Sequence, residues 1–297
     1  MKKRVLIFGG YGQDGRILSE ESYKDDDVFL MGRDKCELRG ALIQEKIGFR
    51  YENLDEIGRI VSDFSPSHVY YLPAVHGPMT SGKNTDKVYN LEREFLDKDG
   101  LSFIMRRLDA LGHPVRFMYT ASERIFGSEM VVSSANEKFK PKCEYGESKA
   151  KAIGMIERTA FRSIIPIVAI LYHHHSRYRG PDYAFSICAR ALADGQPERI
   201  YEDLEYPMAV GDFSSAHVIC SAMSTLMDAE NAGRHILRSG KVTSIAQVTR
   251  EASLGLRSLF ELNPSALRAP KDIVEALIDH ARFLISSPAN VAERAVK

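Results

Sequence analysis

The chain has 297 residues, 44% of them hydrophobic and 27% charged, and its forty Lys and Arg are balanced by forty Asp and Glu. That length suits one large domain or two lobes and excludes a disulfide-stapled miniprotein, while the ordinary composition excludes wholesale disorder. Zero formal net charge, with no run of five like charges, argues against nucleic acid as a main partner.

Met1-Lys2-Lys3-Arg4 precedes the apolar run Val5–Phe8, far shorter than the ~20 residues of a membrane span and without a signal-peptide cleavage pattern. The expectation is a cytoplasmic chain with no membrane partner. Cys36, Cys143, Cys188 and Cys220 show no CxxC spacing and read as reduced packing thiols rather than disulfides or a zinc site.

In chain order, the runs 5–8, 28–31, 68–72, 115–119 and 164–171 have the length and β-branched character of buried parallel strands. Helical spacing over 91–111 and 148–162 separates the later ones, so the order is βαβαβ, that of a Rossmann-like, doubly wound α/β sheet. Beyond about Gly180 the pattern becomes helix-rich and irregular, with turn signals at Arg179-Gly180-Pro181 and Gly195-Gln196-Pro197. This predicts a main domain over 1–172 and a smaller lobe over 173–297, some segments of which return to the main domain.

Directly after the first strand stands Gly9-Gly10-Tyr11-Gly12-Gln13-Asp14-Gly15, followed by a helix-compatible run from Arg16. Glycines at 9, 12 and 15 supply a tight turn, close backbone approach to a pyrophosphate, and helix-to-strand packing. The spacing is GxxGxxG rather than GxGxxG. At the end of the second strand, Arg33 occupies the place of an acidic ribose ligand, which favours the 2′-phosphate of NADP over NAD; Asp34 beside it offers a ribose contact instead.

Tyr145 and Lys149 are four apart on one helical face. A phenol with an ordinary pKa of about 10 is a poor base at neutral pH, but a neighbouring ammonium favours the phenolate. Ser122 follows the fourth strand, at a strand end where open α/β sheets bind ligands. Together they make an alcohol dehydrogenation unit: Ser122 bonds the substrate oxygen, Tyr145 takes its proton and a nicotinamide takes the hydride.

These motifs resemble an extended short-chain dehydrogenase/reductase acting on a nucleotide sugar, and are most similar to the GDP-mannose 4,6-dehydratase family. Gly12-Gln13-Asp14-Gly15 matches that family's glycine loop, and Ile170-Leu171-Tyr172-His173-His174-His175-Ser176 with Arg179-Gly180 resembles its ILFNHES…RG segment. Gly211-Asp212, Val242-Thr243-Ser244 and Asn263-Pro264-Ser265 with Arg268 echo its C-terminal lobe in the same order. The resemblance implies Gly9, Gly12, Gln13, Asp14 and Gly15 on the pyrophosphate, Arg33 on the 2′-phosphate, and Asn53 and Leu54 near the adenine. It places Leu72 and Ala74 by the ribose and nicotinamide, Ser122, Tyr145 and Lys149 as the catalytic triad, and His173, Arg179 and Arg268 on a nucleotide-diphosphate sugar, with GDP favoured. It also implies a role in polysaccharide precursor synthesis.

Three positions depart from the family pattern. Counting back from Gly127 puts Arg124 where the family has the base for the C5 proton, with Glu123 one residue earlier; a one-residue slip makes Glu123 the base but puts Ala121 at the hydroxyl position. His173-His174-His175 replaces a segment with Asn first and Glu third, and three consecutive histidines on a strand cannot all face one metal, so no metal is expected. The connection between Arg33 and Asn53 is shorter than the one the family uses for tetramer contacts, which points to a homodimer.

The preferred chemistry is oxidation at sugar C4 followed by 4,6-dehydration, with Glu123 as the nearby carboxylate for proton transfer. A 4-keto-reductase or 4-epimerase is the alternative, since it needs only Ser122, Tyr145, Lys149 and the cofactor; a non-catalytic cofactor-binding homologue is the third reading. His68, His113, His217, His235 and His280 read as surface or capping residues, and His76 as a candidate for the nicotinamide pocket.

Overall fold

The computed structural model describes residues 2–32, 53–74, 95–127, 132, 134–229, 232–257 and 269–286. By their internal contacts these form two units, one drawn from 2–171 and 220–237, the other from 172–219 and 238–286.

The first unit is built on the predicted apolar runs, which form β1 (Arg4–Phe8), β2 (Asp27–Met31), β3 (His68–Tyr71), β4 (Val115–Ser122) and β5 (Ile164–Leu171). A sixth strand, Gly233–Leu237, is β8, because two strands of the second unit precede it. The sheet order is β2-β1-β3-β4-β5-β8 and each neighbouring pair is parallel. Val5, Leu6, Ile7 and Phe8 have no exposed surface at all, as a parallel strand covered on both faces requires. Leu6, Phe8, Val69, Tyr71, Phe117 and Tyr119 share one core with Ile57 and Val61 of α2 (Leu54–Phe64), Ile104 and Leu108 of α3 (Gly100–Asp109), and Ile153 and Ile156 of α4 (Glu144–Arg158). Each such side chain contributes about 1.5–3 kcal/mol by leaving water. The helix after β1 is α1 (Gln13–Ile17), which continues as a π-helical turn over Leu18–Ser22.

Two boundaries differ from the sequence expectation in ways that matter for the site. Strand β4 runs on to Ser122, because β5 stays paired with it as far as Leu171. Helix α4 spans 144–158 rather than 148–162. Its start is set by Cys143, whose sulfur accepts the Gly146 N–H, and by Glu144 and Glu147 in the first turn, which complement the helix dipole. Its end follows from Asp109, which accepts the amides of Arg162 and Ser163 and holds them out of the helix. In the predicted helix 91–111, the described part is a π-helical turn, Phe95–Asp99, leading into α3.

The second unit is not purely helical. Beside α5 (Ala184–Ala193), α6 (Ile200–Asp203), α8 (Ile245–Arg257) and α9 (Lys271–Ser286) it holds a small sheet of β6 (His173–His175), β7 (Val210–Ser215) and β9 (Val242–Ser244) in the order β6-β7-β9. Helix α7 (Ala216–Asp228) follows β7, and its residues from Cys220 on belong to the first unit. Pairs β6–β7 are parallel and β7–β9 antiparallel. Strands of three to six residues are too short for alternation to show in the sequence. Phe185, Leu192, Phe213, Val248, Ile273 and Leu277 form this unit's core. Among the described residues no helix is long and apolar enough to cross a membrane.

Phe117 is fully buried, its ring 6.1 Å from that of Tyr71. Phe117→Ala is expected to cost about 3–5 kcal/mol in urea unfolding, whereas Leu254→Ala on the exposed face of α8 changes stability by less than about 0.5 kcal/mol.

Candidate active site

The strand order reverses between β1 and β3, and the glycine loop leaves β1 at that point. Gly9 has a left-handed φ of 78°, and a Cβ on it would lie 3.2 Å from the Pro73 nitrogen, so the loops after β1 and β3 run side by side. A Cβ on Gly15 would fall 2.5 Å from the Gly10 Cα, and one on Gly10 would fall 2.8 Å from the Leu30 Cβ. Gly10, given no role from sequence, is therefore as tightly constrained as Gly15. Gly12 is exposed and caps α1, its amide donating to the Gly9 carbonyl at 3.0 Å. Gln13 is buried and its side-chain amide donates to the Asp14 carboxylate at 3.0 Å.

Leu72 bonds the Phe8 carbonyl through its amide, and Ala74 is exposed just beyond β3. Asn53 precedes α2 as its cap and Leu54 opens that helix, both half-buried. Arg33, Asp34, Cys36, His76, Asn263-Pro264-Ser265 and Arg268 lie outside the described residues.

At the end of β4, the Ser122 hydroxyl donates to Glu123 Oε2 at 2.8 Å and accepts the Arg124 amide at 3.3 Å. Arg124 Nε lies 3.4 Å from Glu123 Oε1; the Glu123 side chain is 14% exposed and that of Arg124 54%. The structure thus sets Glu123 against the serine and turns Arg124 outward.

On α4, Tyr145 sits in the first turn and Lys149 one turn later, with Nζ 5.8 Å from the Tyr145 ring centre and 4.8 Å from that of Tyr119. Lys149 is almost fully buried. Its ammonium donates to Asp97 Oδ1 at 2.9 Å and to the Pro73 carbonyl at 3.2 Å. Asp97 also accepts the hydroxyls of Tyr119 at 2.8 Å and Ser148 at 2.6 Å. Burial, with the Asp97 charge in second place, pushes the Tyr119 phenol well above its ordinary range. Sequence reasoning missed Asp97, which is 52 positions from Lys149 and in no motif.

In the second unit the three histidines of β6 differ in burial. His173 is exposed with its ring 5.6 Å from Phe213, His174 Nδ1 donates to the Tyr172 carbonyl at 2.7 Å, and His175 is buried. Arg179 lies 4.1 Å over the Tyr183 ring. His280 is not a surface or capping residue: it is 5% exposed and shares a 3.0 Å hydrogen bond with His175, because α9 lays it against β6. Burial lowers both, His280 to about 4. Among the described residues no group of three or more His, Cys, Asp or Glu is arranged to hold a metal.

A Rossmann-like parallel sheet with a glycine loop after β1, a strand-end Ser and a Tyr/Lys pair one helical turn apart defines the extended short-chain dehydrogenase/reductase class. Residues 6–273 match the family described as GDP-mannose 4,6 dehydratase, and the chain belongs to that family, whose members are nucleotide-sugar enzymes. No curated protein matches the sequence. Similar solved structures include a UDP-N-acetylglucosamine 4-epimerase from Methanobrevibacter ruminantium in complex with UDP-N-acetylmuramic acid, with TM-score 0.73 and 16% identity over 96% of this chain and 99% of that one. A UDP-glucose 4-epimerase from Thermotoga maritima, with UDP-glucose, gives TM-score 0.73 and 15% identity over 99% of both chains. A dTDP-glucose 4,6-dehydratase from Bacillus anthracis, in complex with NAD, gives 0.70 and 11% over 96% of this chain and 97% of that one. At these identities the likeness speaks for the fold.

Because His175 and His280 bind protons more weakly folded than unfolded, their contribution to stability is intact above about pH 6.5 and declines below it, that of His280 being lost as pH falls through about 4. Urea unfolding at stepped pH is expected to show this acid loss, and His280→Gln to reduce its slope by about 1 kcal/mol per pH unit.

Proposed function

We propose that the chain oxidises C4 of a nucleotide-diphosphate sugar with a bound nicotinamide dinucleotide, and that it works as a GDP-mannose 4,6-dehydratase-like enzyme. The observation that carries this reading is the Glu123 carboxylate hydrogen-bonded to Ser122 at the end of β4, in a turn packed against the Tyr145/Lys149 helix.

The glycine loop fits a dinucleotide. Its backbone is drawn so close at Gly9, Gly10 and Gly15 that side chains are excluded there, and exposed Gly12 begins a continuous helical run of 13–22 whose first-turn amides suit a pyrophosphate. Gly9, Gly12, Gln13, Asp14 and Gly15 would hold the diphosphate, Asn53 and Leu54 the adenine, and Leu72 and Ala74 the nicotinamide end. Arg33 supports NADP, while the Bacillus anthracis relative carries NAD, so both belong in the assay. When bound, the nicotinamide supplies a reversible hydride acceptor.

The chain's own residues supply the proton chemistry. Ser122 positions the C4 hydroxyl and Tyr145 takes its proton, with Lys149 stabilising the phenolate. A C4 ketone acidifies C5–H, and Glu123 is the carboxylate placed to move a proton at C5 or C6. His173, Arg179 and Arg268 are assigned to the sugar nucleotide, Arg suiting a diphosphate. The outward, ion-paired Arg124 favours one second reading, a 4-epimerase or 4-keto-reductase, because the family's C5 base position then holds no base.

The test is NMR of the protein with GDP-mannose and NADP or NAD in deuterated water. A 6-deoxy-4-keto product carrying solvent deuterium is expected; a C4 epimer, or turnover only of preformed 4-keto sugars, selects the second reading. Tyr145→Phe should lower kcat by about 100-fold or more under either. Glu123→Gln should abolish deuterium incorporation only if dehydration is the reaction.

A further inference from the structure

We infer that Tyr11 is a cofactor-selecting residue: its ring fills the room beside Gly32 that a 2′-phosphate would need, so the chain takes NAD(H) in preference to NADP(H). This rests on the reading of the glycine loop as a dinucleotide site and names the dinucleotide for it.

Along the sequence, Gly32-Arg33 suits a 2′-phosphate on two counts, a cation to pair with it and a glycine that leaves it space. In the folded chain the second count fails. A Cβ on Gly32 would lie 2.5 Å from Tyr11 Cδ2 and 3.4 Å from both Cγ and Cε2, so the ring meets this glycine edge-on through Cδ2. Gly32 is buried and its φ is not left-handed, so the chain needs glycine there for the space and not for the conformation. The space that glycine leaves is taken by the ring.

The loop that carries the ring is pinned to the end of β2. The Gly10 amide donates to the Met31 carbonyl at 2.9 Å, a Cβ on Gly10 would fall 2.8 Å from the Leu30 Cβ, and the Gly12 amide closes the turn onto the Gly9 carbonyl at 3.0 Å. Tyr11, between Gly10 and Gly12, therefore has its point of attachment fixed beside Gly32, and all of these residues belong to the first unit. In a doubly wound sheet the adenosine ribose lies between the glycine loop and the end of the second strand, with its 2′-oxygen toward the residues after that strand. The half-buried ring leaves a side open against which a ribose can pack. A 2′-phosphate adds a tetrahedral group that must be seated beside the same hydroxyl, and a cation at Arg33 supplies attraction for it but not room.

The test is the dissociation constants of NADH and NADPH for the full chain, read from nicotinamide fluorescence with no sugar present. The wild type is expected to bind NADH at least about tenfold more tightly than NADPH. Tyr11→Ala should shrink that ratio by about tenfold or more, chiefly by strengthening NADPH, whereas Tyr11→Phe keeps the ring and leaves the ratio within about twofold. Equal affinities in the wild type, or a preference for NADPH, overturn the inference. So does an unchanged ratio in a Tyr11→Ala protein whose circular dichroism is native, since a ring that only packs the loop would weaken both dinucleotides together. Should that variant not fold, the wild-type ratio alone decides. Binding of neither dinucleotide overturns the dinucleotide reading itself, a result distinct from binding of both without discrimination.

Discussion

A parallel sheet buried on both faces has no water for polar side chains except at the ends of its strands. β1, β3 and β4 are buried through their last residues, and the chemistry-bearing groups stand at or just beyond those ends: Gly9 after Phe8, Leu72 after Tyr71, and Ser122 as the final residue of β4. The strand order reverses between β1 and β3, the point at which open α/β sheets accept ligands, and the two loops leave the sheet side by side there. The same constraint explains the glycines. Gly15 is small because the Gly10 backbone occupies the space a side chain would need, and Gly9 is a glycine because its φ is left-handed.

Lys149 is a charged group in a mostly apolar interior, and its environment shows how it is tolerated. A buried ammonium requires a counter-charge and acceptors, and the π-helical turn before α3 supplies Asp97 while the loop after β3 supplies the Pro73 carbonyl. Two buried tyrosine rings face this pair, and Lys149 also lies against the Tyr119 ring. Ser122 and Glu123 show a milder version at the sheet edge, where a partly exposed carboxylate bonds the hydroxyl beside it.

The second unit handles its polar interior differently. Asp212 accepts the amides of Ser239 and Gly240, bracing the turn before β9, and His175 and His280 bury as a mutually bonded neutral pair. Of three consecutive histidines, the first stays at the surface and the third is buried, because His280 and Phe185 cover it.

What could be read from the sequence was local. The apolar runs announced five strands of the main sheet, the glycine spacing announced the first loop, and the four-residue interval of Tyr145 and Lys149 placed both on one helix face, because each signal depends on neighbours within a turn or two. The short strands β6, β7 and β9, the identity of the segment that returns to the main sheet as β8, and the start of α4 at Glu144 were not legible, since they depend on pairing partners and caps that local periodicity does not encode. Tertiary structure alone decided which acid stands beside Ser122, because a 3-10 turn after β4 points Glu123 inward and Arg124 outward. It alone joined Asp97 to Lys149 across 52 residues and His175 to His280 across 105. Side chains so far apart in the chain meet only where packing leaves a buried charge or ring nitrogen no nearer partner, and that requirement is a property of the folded interior rather than of any stretch of sequence.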